Sequence, residues 1–259
     1  MTQLAWLDPG DPGQPFPSLD QALTEPDGLL AVGGGLEPER LLNAYRHGIF
    51  PWYEASQPIL WWSPEPRTVL FLKHFRLHRS LRKTLRNGDY RVTLDTDFSA
   101  VIQACAAPRG ASRGTWITAE MQQAYMQLHQ LGHAHSVEVR TADGTLIGGL
   151  YGVSIGRVFF GESMFSRVRD ASKIALASLA CQLDTWGFPF IDCQQDTAHL
   201  ESFGARPIRR RAFAALLDIH CTQPGPGAPW VFDSSLCVDT WRPGNTTDAR
   251  VAGINGSSE

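Results

Sequence analysis

Residues 145–194 have the sequence TLIGGLYGVSIGRVFFGESMFSRVRDASKIALASLACQLDTWGFPFIDCQ. Its apolar pattern predicts two strands, a helix and a further strand, over 145–155, 158–165, 171–186 and 188–194. Gly156-Arg157 is a hairpin turn signal, and Gly187 is the residue type expected just past the end of a helix. Three strands around an apolar helix indicate a central sheet with helices packed on it.

The flanking sequence extends this pattern in both directions. Further strands are predicted at 68–72, 90–94 and 136–141, and further helices at 38–47, 76–86, 97–106, 118–131 and 211–218. The order predicts an α+β (mixed α/β) fold. A proline-rich segment at 63–66 suggests a boundary, so we expect a small N-terminal domain over 1–62 and a larger domain over 63–235. A polar C-terminal tail is expected over 236–259.

Composition excludes several classes of protein. With 13 Phe, 8 Trp and 5 Tyr among 259 residues, the chain can bury a core and is not disordered. No apolar run approaches the ~18–20 residues of a membrane span, and no secretory signal is visible, so a cytoplasmic location is expected. Five dispersed cysteines without a C-x-x-C motif argue against disulfides and zinc, and the histidines show no metal-ligand spacing.

Positive charge is concentrated in one segment of an acidic chain. Residues 67–91 contain eight of the 23 Lys and Arg residues but only one of the 26 Asp and Glu residues. The predicted helix 76–86 has leucines on one face and bases on the others. A solvated face usually mixes charges, because like charges at i,i+4 repel each other. An unopposed basic face therefore favours contact with a nucleic-acid backbone, although a merely solvated helix remains the alternative.

One tryptophan cluster and three polar residues are the other candidates for function. The cluster consists of PWY at 51–53 and WW at 61–62, and its tryptophans can serve as core or as stacking surfaces for nucleobases. Glu162 lies inside an apolar strand, where a carboxylate needs a partner. Asp192 and Gln194 end another apolar strand at positions i and i+2, so both are predicted to point to the same face of the sheet, a placement suited to a catalytic floor. The alternative for Asp192 is a structural ion pair with an arginine.

A series of short motifs, taken together, resembles the leucyl/phenylalanyl-tRNA–protein transferases. The motifs are GIFPWY at 48–53, PILWWSPEPR at 58–67, RSLRKTLR at 79–86, GTWI at 114–117, GGLYG at 148–152, FFGESMFS at 159–166, DASK at 170–173, IDCQ at 191–194 and HLESFGA at 199–205. The resemblance covers about residues 14–220, and its tryptophan- and glycine-containing motifs are highly specific.

The resemblance implies a small N-terminal domain and a larger, acetyltransferase-like (GNAT-like) catalytic domain. It implies transfer of leucine or phenylalanine, and less efficiently methionine, from aminoacyl-tRNA to proteins with N-terminal Arg or Lys. The product is a degradation signal of the N-end rule pathway. No metal and no acetyl-CoA are expected as cofactors, and a monomer without membrane contact is expected.

The family match also implies roles for individual residues. Asp192 would orient or deprotonate the attacking amine, Gln194 would hold it in line, and Glu162 would face the acceptor's charged side chain or amine. The aminoacyl side chain would occupy an apolar pocket formed by Leu150, Phe159, Met164 and Leu179. Trp52 and Trp116 would pack against the terminal adenosine. The acceptor-stem phosphates would meet Arg76, Arg79, Arg82, Lys83 and Arg86.

Two other classes remain open at this point. A small-molecule N-acetyltransferase would share the fold, but the glycine-rich pyrophosphate loop is missing before the helix at 171–186. A non-catalytic RNA-binding protein would explain the basic helix, but it would not need Glu162, Asp192 and Gln194.

Overall fold

The computed structural model describes residues 4–108 and 115–244. Gly114 of the GTWI motif and residues 245–259 of the predicted tail lie outside the described residues. No helix in the described ranges is both long enough and apolar enough to cross a bilayer.

The N-terminal part forms a four-stranded sheet of short strands. It contains β1 (Ala5–Leu7), β2 (Leu29–Gly33), β3 (Phe50–Pro51) and β4 (Leu60–Trp62), in the order β1-β2-β4-β3, with α1 (Pro38–Arg46) between β2 and β3. Trp61 is fully buried, and its indole Nε1–H donates to the Gly33 carbonyl at 2.9 Å. Helix α1 begins at Pro38, as predicted. Sequence patterns miss β1, β3 and β4, because strands of two or three residues show no period of their own.

A seven-stranded mixed sheet forms the larger part. Its strands are β5 (Arg67–Phe71), β6 (Tyr90–Leu94), β7 (Ala134–Thr141), β8 (Leu146–Ile155), β9 (Val158–Ser166), β10 (Phe190–Gln194) and β11 (Arg206–Ile208), in the order β11-β5-β10-β9-β8-β7-β6. The associated helices are α2 (Arg79–Asn87), α3 (Phe98–Ala106), α4 (Ala119–Gln130), α5 (Ala171–Thr185), α6 (Ala198–Ser202) and α7 (Arg210–His220). The predicted mixed α/β class is confirmed. Within the described residues, no strand before residue 63 pairs with one after residue 66, so this segment separates the two sheets.

The large sheet separates two apolar clusters. Successive strand residues point to opposite faces, so Phe160 packs with α1, α3 and α4, whereas Phe159 packs with α2 and α5. Tyr45 of α1 belongs to the same cluster as Phe160. The N-terminal part therefore shares its core with one face of the large sheet.

Helix starts follow the caps that the sequence offers. The Thr118 hydroxyl accepts a hydrogen bond from the Met121 amide at 3.2 Å, which confirms its predicted role as N-cap of α4. The predicted start of α2 at residue 76 is wrong. The Arg76 amide donates instead to the Phe203 carbonyl at 2.8 Å, which keeps 76–78 extended, and the helix begins at Arg79.

The chain after α7 packs across the sheet face that carries α5. Trp230 is only 2% exposed and stacks on His135 with ring centroids 3.7 Å apart. Packing continues past residue 236, the predicted start of the tail. Trp241 is 7% exposed, and its indole Nε1–H donates to Asp184 at 3.0 Å.

Candidate active site

A cavity of about 310 Å³ opens where β9 and β10 part. These strands pair in parallel over only three residues each, ending at Phe160 and Asp192, although β9 continues to Ser166. The cavity lining brings together eight of the predicted site residues: Trp116, Leu150, Phe159, Glu162, Met164, Leu179, Asp192 and Gln194. The sheet thus places on one cavity residues that are up to 78 positions apart in the chain.

One end of the cavity is apolar. The four predicted pocket residues, Leu150, Phe159, Met164 and Leu179, lie there together with Leu176 and Ile191, which the sequence analysis did not identify. Leu176 lies one helical turn before Leu179 on the same face of α5, a spacing visible in the sequence. An apolar chamber of this kind favours an aliphatic, thioether or aromatic group over a charged one.

The polar wall is built around the Glu162 carboxylate. Its Oε1 accepts from the Tyr45 hydroxyl at 2.8 Å and from Gln194 Nε2 at 2.9 Å, and its Oε2 accepts from the Tyr125 hydroxyl at 2.9 Å. The two tyrosines, which come from α1 and α4, are fully buried. They contact the candidate site, and sequence patterns do not predict this, because a tyrosine in a helical apolar stripe is normally a core residue.

The protons in this cluster can be counted. The hydroxyl oxygens of Tyr45 and Tyr125 lie only 2.5 Å apart, a third short oxygen–oxygen contact. If both hydroxyls donate to an ionised Glu162, no proton remains for the contact between them. A protonated Glu162 supplies the third proton. In agreement, burial raises the pKa of the Glu162 carboxyl to about 7, and the nearby Asp192 charge adds to that rise.

Asp192 is part of a buried ion pair. Its Oδ1 and Oδ2 accept from Arg67 Nε at 2.8 Å and Arg67 Nη2 at 2.6 Å, and both side chains are 0% exposed. The Arg67 guanidinium lies between the rings of Phe50 and Phe213, 4.8 Å from each centroid. The structural alternative for Asp192, a pair with an arginine, is therefore present in the structure. Its catalytic role stays a prediction.

The ion pair also fixes the backbone that carries Gln194. Asp192 Oδ1 accepts from the Gln194 amide at 3.0 Å, and β10 shifts register between these residues. Gln194 has φ 62°, a left-handed conformation that a non-glycine residue adopts at a cost. The predicted i,i+2 alternation fails here. The Asp192 side chain is directed to Arg67. The irregularity in β10 turns the Gln194 side chain toward Glu162, to which its Nε2 donates.

An aromatic groove adjoins the cavity. Trp52 and Trp62 meet edge to face with centroids 5.7 Å apart, and Trp52 is 42% exposed. Both line a groove of about 870 Å³ that also includes Trp116. Trp116 lines the cavity too, so the cavity and the aromatic groove adjoin at this residue.

The basic residues of α2 and the segment before it divide into two groups. Arg76, Arg79, Lys83 and Arg86 are exposed, although Arg86 Nε pairs with Asp239 at 3.0 Å. Arg82 instead donates to the carbonyls of Leu77, Asp239 and Trp241, at 3.2, 2.6 and 3.1 Å. Arg82 therefore fastens the C-terminal segment to the helix, and its guanidinium is directed at protein carbonyls.

A metal centre would need several donor side chains at one point. Within the described residues, no three His, Cys, Asp or Glu side chains come together as a metal ion would require.

Comparison with known proteins identifies the family. A family model described as leucyl/phenylalanyl-tRNA protein transferase matches residues 69–218, and a model of the N-terminal domain of the same family matches residues 34–65. The chain belongs to this family. It is therefore an aminoacyltransferase, and its substrates are aminoacyl-tRNA and protein.

The sequence also matches named relatives over most of their length. The leucyl/phenylalanyl-tRNA–protein transferase of Stutzerimonas stutzeri is 59% identical over 227 residues, which cover 88% of this chain and 99% of that protein. The transferase of the same name from Nitrosomonas europaea is 58% identical over 219 residues, which cover 85% of this chain and 92% of that protein. A solved structure, L-PGS from Bacillus licheniformis, aligns at 8% identity with a TM-score of 0.38 over 62% of this chain and 52% of its own. A TM-score this low does not establish a shared fold, so the GNAT-like fold stays a prediction.

The ion pair generates a first prediction. Asp192→Asn leaves the Arg67 charge buried without a counter-charge, so we expect the free energy of unfolding to fall by about 3–5 kcal/mol. Urea denaturation measures this loss. The matched variant is Arg67→Met with Asp192→Leu, which removes both charges and should recover most of the stability, since apolar replacements of buried pairs are often neutral. An Asp192→Asn protein as stable as wild type would contradict the assignment.

The proton count generates a second prediction. In protein labelled with 13C at glutamate Cδ, one signal should titrate near pH 7 and disappear in Glu162→Gln. The Tyr45 hydrogen bond favours the ionised form, so Tyr45→Phe should move this titration to higher pH. Tyr90→Phe is the control, because the Tyr90 hydroxyl donates to the Leu85 carbonyl and makes no contact with Glu162. Titration of the Glu162 signal below pH 5 would exclude the shared proton.

Proposed function

We propose that this transferase moves leucine or phenylalanine, and methionine less efficiently, from aminoacyl-tRNA to the N-terminal Arg or Lys of acceptor proteins. It does so as a monomer. The new N-terminal residue marks the acceptor for degradation by the N-end rule pathway.

The observation that carries this proposal is the junction of two unlike surfaces in one cavity. The apolar chamber around Leu150, Phe159 and Leu179 suits the side chain of the donor amino acid. Glu162 and Gln194 form the adjoining polar wall, where a reacting amine and ester need partners. An enzyme that joins an apolar aminoacyl group to an amine needs two such surfaces that meet at the reacting carbonyl.

The reaction requires little activation. The nitrogen of the acceptor's α-amine attacks the ester carbonyl, the new C–N bond forms, and the bond from that carbon to the ribose oxygen breaks. The amine loses a proton, and the ribose oxygen gains one to become a hydroxyl. Because an aminoacyl ester is already activated, positioning and proton placement supply most of the catalysis.

The polar residues have distinct roles in this proposal. Gln194 donates through Nε2 to Glu162, which leaves its amide oxygen to accept from the attacking amine. Glu162, with a pKa of about 7, is matched to take a proton from an α-ammonium group, whose ordinary pKa is about 7.7–8.0. Asp192 acts through Gln194, because both of its oxygens are already engaged by Arg67 and the Gln194 amide.

Aminoacyl-tRNA binding is divided between two surfaces in this proposal. The terminal adenosine packs against Trp52 and Trp116, and aromatic stacking of a base contributes ~1–3 kcal/mol. The acceptor stem lies along four exposed basic side chains, whose positive charges complement the phosphates: Arg76, Arg79, Lys83 and Arg86. Arg82 is excluded from this set because its donors hold the C-terminal segment.

Transfer of label tests the proposed activity. Purified protein, radiolabelled Leu-tRNA and a peptide beginning with Arg should give labelled peptide, and the same peptide beginning with Ala should give far less. Leu-tRNA should be replaceable by Phe-tRNA, with Met-tRNA a poorer donor. Equal labelling of the Arg and Ala peptides would refute the acceptor specificity, and tRNA binding without any peptide product would favour the non-catalytic RNA-binding class.

The phosphate contacts give a separate prediction. Arg79→Glu combined with Lys83→Glu should weaken tRNA binding. Each phosphate contact releases roughly 0.7–0.9 counterions when tRNA binds. Loss of two contacts should therefore flatten the slope of log affinity against log salt by about 1.4–1.8. Filter binding across a salt series measures this slope. Arg91→Glu is the control, because Arg91 is exposed on β6, outside the helix. An unchanged slope in the double variant would remove α2 from the tRNA surface.

A further inference from the structure

The aromatic groove contains one tryptophan to which the proposed function gives no role. Trp61 of the WW motif is fully buried, whereas its neighbour Trp62 is only partly buried and lines the groove beside Trp52. Trp116 lines both the groove and the cavity, so it marks the end of the groove that adjoins the cavity. Trp62 does not line the cavity and therefore lies away from that end.

The Trp62 ring is held at a fixed angle to the Trp52 ring. The Trp62 indole Nε1–H donates to the Trp52 carbonyl at 2.7 Å, and the two rings are inclined at 64° with their centroids 5.7 Å apart. One planar base cannot lie flat on two rings that meet at this angle. A base that stacks on Trp52 therefore leaves the face of Trp62 to another group.

The groove has the size and the charge to hold more than one nucleobase. Its volume of about 870 Å³ lies near the upper end of the range for small-molecule sites, roughly 300–1,000 Å³, whereas the cavity measures about 310 Å³. Among the described residues that line the groove, Glu54 is the only charged one. A surface of aromatic rings without Lys or Arg favours the face of a base over a phosphate.

The direction of the RNA strand leads toward Trp62. The aminoacyl group is esterified to the 3′-terminal ribose, so this ribose belongs where the groove and the cavity adjoin, at Trp116. With the terminal adenine packed against Trp52 and Trp116, the strand continues in its 5′ direction away from the cavity. The next base along that path is the cytosine that precedes the terminal adenosine in every tRNA.

We propose that Trp62 stacks the base of the penultimate nucleotide of aminoacyl-tRNA, so that the aromatic groove binds two bases. This inference rests on the proposed function, which packs the terminal adenosine against Trp52 and Trp116. Stacking on an aromatic ring requires only the flat face of a base. The contact therefore adds affinity that does not depend on the donor amino acid, and it fixes the direction in which the strand leaves the terminal adenosine.

A set of short analogues separates the second base from the first. Phenylalanine is attached through an unreactive amide to the 3′ position of adenosine, of the dinucleotide CA, and of the same dinucleotide with an abasic site in place of cytosine. Calorimetry gives the Kd of each analogue. Wild type should bind the CA analogue about 5- to 150-fold more tightly than the adenosine analogue, which is the range expected for the stacking of one base. The abasic analogue should bind like the adenosine analogue.

Substitutions assign this gain to Trp62. Trp62→Leu should bind the adenosine analogue as wild type does and should lose most of the gain from cytosine, whereas Trp62→Phe, which keeps an aromatic face, should retain part of it. Trp6→Leu is the matched control and should keep the whole gain. Trp6 is a 65% exposed tryptophan of the same N-terminal sheet, and it lines neither the cavity nor the groove.

Three outcomes overturn the inference. An equal loss of affinity for the adenosine and CA analogues in Trp62→Leu would show that Trp62 only supports the Trp52 ring. An undiminished gain in Trp62→Leu would show that the cytosine lies elsewhere. The third outcome needs no variant and so does not depend on the folding of Trp62→Leu: an abasic analogue that binds wild type as tightly as the CA analogue would show that no second base is stacked.

Peptide labelling separates this inference from the proposed function, because the binding analogues do not react. If cytosine adds affinity through Trp62 but radiolabelled Leu-tRNA gives no labelled Arg peptide, the proposed function fails and the second base site stands. If the peptide is labelled but cytosine adds no affinity, the second base site fails and the proposed function stands. If neither is observed, both are overturned.

Discussion

The buried ion pair between Arg67 and Asp192 holds one wall of the cavity in place. It joins the neighbouring strands β5 and β10, and Arg67 Nη1 also donates to the Gly48 carbonyl of the N-terminal part at 3.1 Å. Burying both charges is costly, and removing one partner costs ~3–5 kcal/mol. The pair fixes the position of the residues around it. Asp192 Oδ1 accepts a hydrogen bond from the backbone N–H of Gln194, and this bond holds Gln194 in its left-handed conformation at the end of β10.

The N-terminal part contributes to the candidate site because α1 carries Tyr45 to Glu162, which lines the cavity. Tyr45 reaches Glu162 from one side and Tyr125 of α4 reaches it from the other, so two helices clamp one carboxylate of β9. Both hydroxyl groups have pKa values raised well above the ordinary tyrosine range, by burial and then by the Glu162 charge. They stay protonated and act as fixed donors. The N-terminal part thus supplies a hydrogen bond that favours the ionised form of Glu162 and opposes the rise in its pKa caused by burial.

Sequence patterns predict much of this fold and part of the site. The long segments with clear periods, such as β8, β9 and α5, are found within a few residues, and the apolar pocket residues can be named because their motifs are specific. The partners of the polar groups cannot be found this way. Arg67 lies 125 positions from Asp192, and Tyr45 lies 117 positions from Glu162, so only the folded sheet order brings each pair together.

Local deviations from a regular pattern are also not predicted. The irregularity in β10 breaks the period-two alternation that predicts Gln194 on the same sheet face as Asp192. Arg82 shows the opposite error, because a charge pattern does not distinguish an arginine that faces phosphate from one that fastens a distant segment.

The position of the clefts follows from the way in which the sheet opens. Where β9 and β10 part, their backbones stop pairing, and side chains from both faces of the sheet can reach the same space. The apolar chamber comes from the face with Phe159 and α5, and the polar wall comes from the face with Phe160 and α1. Trp116 lines both this cavity and the aromatic groove, and Gln194 lines both the cavity and a further groove of about 450 Å³. The Arg67–Asp192 pair matters most at Gln194, because it fixes the backbone of a residue that lies between two clefts.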